Sequence, residues 1–217
     1  MRLIHVLAGA GVLLAVASPP RSSSACMNEV VRQLTPVQEI AAAEQDLDAA
    51  RLGEATHRVR VRYPAIRALD GTAPALAQRA QRIYALALVR AEGRLDAQLG
   101  WAPSGNLEWA VETLADLDTR RPNDPRSQAD LAEARTRLRR TRGEGVRVLE
   151  DLDRRDLLGS PYAYRALARA RRTAGDEGGA EAALRRCAVM ASNPGRCDPD
   201  FTGEMALPSR SPARRGI

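Results

Sequence analysis

The sequence predicts an all-α chain of stacked helical hairpins, and three observations carry that expectation. Composition is the first: of 217 residues, 44% are hydrophobic and 28% charged but only 3% are aromatic, with one Phe and two Trp. Ala, Leu, Arg and Glu are strong helix formers, whereas the β-branched and aromatic residues that favour strands are sparse. The second is periodicity, because apolar residues recur at helical spacing along most of the chain. The third is internal repetition: Gly143-Glu144 aligns with Gly175-Asp176, Leu152 with Leu184, Ser160 with Ser192, and the stripe Leu131, Ala134, Leu138 with Ala163, Ala166, Ala170, all at an offset of 32 residues. A period in the low thirties belongs to paired helices that cannot bury their apolar faces alone and stack into one continuous core.

At the N-terminus, Met1-Arg2 precedes an apolar run over residues 3–17 that only His5 interrupts, followed by polar Ser18-Pro19-Pro20-Arg21-Ser22-Ser23-Ser24-Ala25. This is the three-part layout of a secretory signal peptide, and the run is short of the roughly 20 residues that span a bilayer. Cleavage after Ala17 or after Ala25 satisfies the small-residue rule equally. The second choice exposes Cys26, and Ser23-Ser24-Ala25-Cys26 distantly resembles a lipobox, so lipidation of Cys26 stands as an alternative to a soluble periplasmic or secreted product. Residues 26–36 form a short lead.

From residue 36 the stripes follow in order: Ile40, Ala43, Leu47 and Ala50, then a turn at Gly53-Glu54, then Leu76, Ala80, Ile83, Tyr84 and Ala87. Residues 93–105, holding Trp101 and Pro103, read as a loop. Ala110, Leu114 and Leu117 make the next stripe, Pro122-Asn123-Asp124-Pro125 supplies a stop and turn, and Ser127 or Asp130 is placed to cap or charge the helix that follows.

The segment over residues 162–194 resembles a tetratricopeptide repeat. Tyr164, Leu167 and Ala168 stand where that motif has an aromatic, Leu and a small residue; Gly175-Asp176 is the hairpin turn; Ala180, Leu184, Cys187 and Ala188 form the second helix; and Pro194 closes the unit. Arg171 departs from the motif's preference for Tyr. Residues 106–130 resemble the end of one such unit and the start of the next. The resemblance implies a right-handed α-solenoid of three to four hairpins over residues 36–197, clearest over 106–194. The tail, residues 198–217, is rich in Pro, Ser and Arg, has no helical period, and is expected to be disordered unless Cys197 pins its start.

Three Cys follow the leader's first cleavage point. In an oxidising compartment Cys187 and Cys197 can close a short loop, which the loop-entropy description values at about 3 kcal/mol. If Cys26 carries lipid, these two pair without remainder; if it does not, Cys26 can bond to either.

The residues point away from catalysis. His57 is the single histidine outside the leader, and no second His or Cys-pair spacing accompanies it to make a metal site. Carboxylates such as Glu150, Asp151 and Asp153 sit among Arg neighbours that suit a solvated face better than a raised-pKa acid. Gly175-Asp176-Glu177-Gly178-Gly179 lacks the Lys of a phosphate-binding loop. No catalytic residue, metal or cofactor is therefore expected.

All 33 basic residues are Arg and the formal net charge is +6, of which Arg2 and Arg21 lie in the leader. Arginine supplies bidentate contacts to carboxylate or phosphate, although an arginine-only composition also follows from a GC-rich genome. In a tetratricopeptide hairpin the first helix lines a concave groove at positions i, i+3, i+7 and i+10. The resemblance therefore implies groove positions Tyr162, Arg165, Arg169 and Arg172, and one period earlier Asp130, Glu133, Arg137 and Arg140. A groove so lined suits an acidic peptide or a C-terminal carboxylate from a protein partner, with Tyr162 as anchor. Two other classes stay open: an envelope component acting by constitutive assembly, and a polyanion binder with a steep salt dependence, which export and the lack of interleaved aromatics disfavour.

Overall fold

A computed structural model describes residues 34–96, 99–198, 201 and 203. Residues 1–25, expected to be a signal peptide, Cys26 and most of the tail lie outside the described residues. Within them the chain forms eight α-helices and no strand: α1 (Pro36–Asp48), α2 (Leu52–Arg62), α3 (Ala75–Arg90), α4 (Pro103–Thr119), α5 (Pro125–Arg135), α6 (Arg142–Arg154), α7 (Pro161–Thr173) and α8 (Glu177–Met190), with short 3₁₀ turns at Ile66–Ala68 and Pro194–Cys197. No described helix is long and apolar enough to cross a membrane.

Four of the helices start on proline. Pro36, Pro103, Pro125 and Pro161 occupy the first turn, where the missing N–H costs nothing and the fixed φ already suits a helix. Thr35 and Gln38 close a reciprocal capping box on α1, and Asp176 caps α8 by accepting from the Gly179 amide. Asp124, rather than Ser127 or Asp130, caps α5 by accepting from the Arg126 amide. Asn123 just before it takes a positive φ, as Asn tolerates.

Three boundaries differ from the sequence reading. The first hairpin turns at Ala49 to Arg51, with Ala50 at a φ of 56°, while Gly53-Glu54 lies inside the first turn of α2. Residues 103–105 belong to α4 and not to the loop. Gly143-Glu144 sits in the first turn of α6, so it is not the counterpart of the turn at Gly175-Asp176. Helix starts at Pro125 and Pro161, and at Arg142 and Glu177, are spaced by 36 and 35 residues, so the 32-residue offset matches similar residues that are not structurally equivalent.

Each odd-numbered helix packs on the even-numbered helix after it and on the one before it, and α1, α3, α5 and α7 touch one another in series. Gly145 makes one of these contacts possible: a Cβ there would lie 2.7 Å from the Ala132 carbonyl oxygen, so α6 crosses α5 at backbone distance. Two apolar clusters result. The first gathers Ile40, Leu47, Leu52, Ile83, Leu86 and Leu88 with their neighbours; the second gathers Leu149, Leu152, Leu167 and a set of alanines. Helix α5 serves both, giving Leu131 and Ala134 to the first and Ala129 and Ala132 to the second. Its remaining buried positions, Asp130 and Glu133, belong to neither cluster and face a polar layer.

The chain after α8 does not leave the body at once. Cys187 and Cys197 are placed to form a disulfide, with Cα atoms 5.8 Å apart and sulfurs at bonding distance. Arg196 donates to the Asp48 carbonyl at 2.9 Å, and Gly203 lies against Leu52. Cys197 thus pins the start of the tail, and the described residues as far as Gly203 form a clasp on the helical body.

Candidate functional site

The polar layer is built where α3, α5 and α7 meet. Arg90 ends the apolar run of α3 and is 4% exposed; it forms an ion pair at 3.2 Å with Glu133 of α5, which is fully buried. The Arg90 guanidinium lies 3.7 Å from the ring centre of Tyr162 at the start of α7, and Arg165 lies 5.3 Å from the same ring. The Tyr162 hydroxyl donates toward the carbonyl oxygens of Leu47 and Asp48 at the end of α1, 3.4 and 3.1 Å away. Tyr162 is therefore an interior strut, not an exposed anchor for a partner, and Arg165 at 2% exposure is interior as well.

A second carboxylate comes from the turn after α3. Glu92 takes a positive φ of 54° between Ala91 and Gly93. Gly93 in turn passes so close to Pro103 that a Cβ would sit 2.2 Å from the Pro103 carbonyl oxygen. This tight passage turns Glu92 back toward α7. Its Oε1 accepts from Arg169 at 2.8 Å and from Arg137 at 3.3 Å, and its Oε2 from Arg94 at 3.2 Å. The Arg169 hydrogen bond, with the Arg137 and Arg94 charges, holds the Glu92 carboxyl below its usual value. Arg137, Arg169, Arg142, Leu107 and Thr136 wall a recess of about 320 Å³ beside it.

The sequence-predicted stripe thus divides three ways. Arg137 and Arg169 converge on Glu92. Tyr162 and Arg165 go inside. Arg140 and Arg172 stay exposed and make loose pairs with Glu108 at 3.9 Å and Glu177 at 3.7 Å. Arg137 and Arg140 lie beyond the end of α5, in the turn before α6, so helical spacing does not govern them. Of the two acidic positions, Asp130 pairs with Arg82 at 2.6 Å and Glu133 with Arg90. Reading the stripe missed Arg90, Glu92, Arg94 and Arg142. A lone charge closing an apolar run, as Arg90 does after residues 83–89, is a usable signal of a buried ion pair; Glu92 carries no such signal.

The layer is short of negative charge. Among the described residues, five guanidiniums (Arg90, Arg94, Arg137, Arg165 and Arg169) share Glu92, Glu133 and part of the charge of Asp130, which is bonded to Arg82. Among the described residues the Nε atoms of Arg137 and Arg165 are buried without an acceptor. Burial lowers the pKa of both guanidiniums, that of Arg165 to about 10.

The described residues hold two other polar features, and in the second the Nε and Nη2 of Arg67 are buried without an acceptor. A larger cavity of about 740 Å³ has Arg82, Arg126 and Arg196 on its walls but also Asp48, Asp124 and Asp130, so it selects neither sign of charge. Arg67 is stacked between Trp101 and Trp109, at 3.8 and 4.7 Å from the ring centres, and donates to Asn106 at 2.6 Å. His57 is exposed on α2, and no group of three or more His, Cys, Asp or Glu among the described residues could hold a metal ion.

No protein-family model, no curated protein and no solved structure matches this chain.

Proposed function

We propose that this chain is an exported interaction module of the tetratricopeptide type that binds an acidic segment of a protein partner at the recess walled by Arg137, Arg142 and Arg169. The observation that carries the reading is the charge imbalance of the layer, five guanidiniums against Glu92, Glu133 and an Asp130 already bonded to Arg82. A buried cation without a counter-charge is costly, and a partner carboxylate relieves that cost through short charge-assisted hydrogen bonds. Glu92 marks the acceptor position, since one of its oxygens already takes both Arg137 and Arg169. A recess of about 320 Å³ admits one acidic side chain and not a folded surface, so the ligand is an extended segment. Exposed Arg140 and Arg172 steer it in without holding it. Support for the tetratricopeptide assignment is the packing order of paired helices, with the odd-numbered helices in series on one side. Support for export is the leader-like layout of residues 1–25.

Fluorescence anisotropy of the full chain with a fluorescein-labelled hexaglutamate peptide tests the reading. Arg169→Glu is expected to weaken binding about tenfold or more, and Glu92→Gln, which removes the internal competitor, to strengthen it. If wild type, Arg169→Glu and Glu92→Gln bind alike, the cluster is a structural ion network.

A further inference from the structure

Among the described residues, Arg165 is the one of these five guanidiniums that makes no direct ion pair, although the Glu133 charge acts on it. Its Nη1 donates to two backbone carbonyls, that of Arg196 at 3.3 Å and that of Phe201 at 2.8 Å, and its Nε has no acceptor. Its guanidinium faces the Tyr162 ring at 5.3 Å and the Phe201 ring at 5.9 Å. Neutral carbonyls accept hydrogen bonds but supply no charge, and the carboxylate whose charge acts on Arg165, Glu133, is already bonded to Arg90.

Both carbonyls belong to the clasp. It is fixed at three described points: the Cys187 and Cys197 pair, the Arg196 guanidinium on the Asp48 carbonyl and the Ser192 hydroxyl, and Gly203 against Leu52 and the Ala50 carbonyl. The root at Cys197 is close in sequence to Phe201, which keeps the carbonyls at high local concentration beside Arg165.

We propose that Arg165 is a second carboxylate subsite of the arginine layer, and that the carbonyls of Arg196 and Phe201 occupy it as a built-in competitor that an acidic ligand displaces. The proposal rests on the acidic-partner reading and adds where a second carboxylate of the same segment goes. A ligand carboxylate brings two charged oxygens to a guanidinium that now meets two neutral ones, and so exchanges neutral acceptors for charged ones. A clasp closed nine parts in ten lowers the apparent affinity about tenfold.

Gly203→Val separates the clasp from the layer. Gly203 has a φ of +72°, and a Cβ there would meet Leu52 at 2.7 Å and the Ala50 carbonyl oxygen at 3.1 Å, so the variant docks its clasp poorly while every arginine is kept. With the same hexaglutamate probe on the full chain, Gly203→Val is expected to bind about tenfold tighter than wild type, and adding Arg165→Gln to erase the gain. The double variant Cys187→Ser with Cys197→Ser, which frees the root instead of the tip, is expected to behave alike and decides the matter if Gly203→Val fails to fold. If neither opening variant tightens binding, or if the gain survives Arg165→Gln, the proposal is overturned; the acidic-partner reading still stands provided wild type binds through Arg169. If wild type does not bind but an opened variant does through Arg165, the subsite stands and the open-recess reading falls. If nothing binds, both fall.

Discussion

The two halves of the molecule bury different material. In α1 to α4 the core is aliphatic and bulky: Ile40, Leu47, Leu52, Ile83, Leu86 and Leu88 are each 1% exposed or less, and Tyr84 meets Trp109 edge to face at 5.6 Å. In α5 to α8 only Leu149, Leu152 and Leu167 are large, apolar and fully buried, and most of the rest of that apolar cluster is alanine. Alanines let helices approach closely but remove little apolar area from water, at about 25 cal/mol for each Å². The second half is held instead by cross-links: the cysteine pair, Arg171 on Asp153 at 2.9 Å, Arg186 on Asp156 at 2.9 Å, and the buried Arg90 to Glu133 pair that ties it to the first half. The lesson is that the half contributing α5 and α7 to the arginine layer is secured by a few specific bonds, and is therefore the half that single substitutions can loosen.

The largest effect is expected from Glu133→Gln. It leaves Arg90 buried without its counter-charge and is expected to cost about 3–5 kcal/mol, measured by urea denaturation followed by circular dichroism. A loss under about 1 kcal/mol would mean that the halves are joined mainly by apolar contact. Next comes Cys187→Ser with Cys197→Ser, at about 3 kcal/mol. Hydrogen exchange should then show α8 losing protection while α3 keeps it; equal loss in both would erase the distinction between the halves. Smallest is Gly145→Ala, where the added methyl must push α6 off the Ala132 carbonyl, at about 1–3 kcal/mol by thermal melting. No change in melting temperature would show that the alanine-rich half has slack to absorb it.

Local chemistry was legible in the sequence and distant pairing was not. The apolar stripes of α1 and α3, the stop at Pro122 to Pro125 and the turn at Gly175-Asp176 all appear, because each is decided by residues within a few positions of one another. The turn after α1 was misplaced because Ala50, not a glycine, takes the positive φ. The 32-residue offset misled because helices α5 and α7 are alike in composition, so several alignments look equally good. The stripe names Arg137 and Arg169, yet Glu92, which joins them, lies 45 and 77 positions away and sits in a turn without periodicity. Tyr162 and Arg165 looked like groove residues because nothing local reveals that Arg90, the end of α1 and the clasp cover them.

Most contacts in this chain join elements adjacent or next but one along it. An array with only such contacts behaves as a row of nearly independent units, free to fray from either end. Tyr162 and Arg196 break that pattern by bonding to the end of α1, 114 and 148 positions earlier, and Gly203 rests on the start of α2. The last hairpin therefore cannot open without disturbing the first. Fraying from the C-terminal end must first break these bonds to α1 and α2, so a change at the clasp reaches the opposite terminus of the helical array.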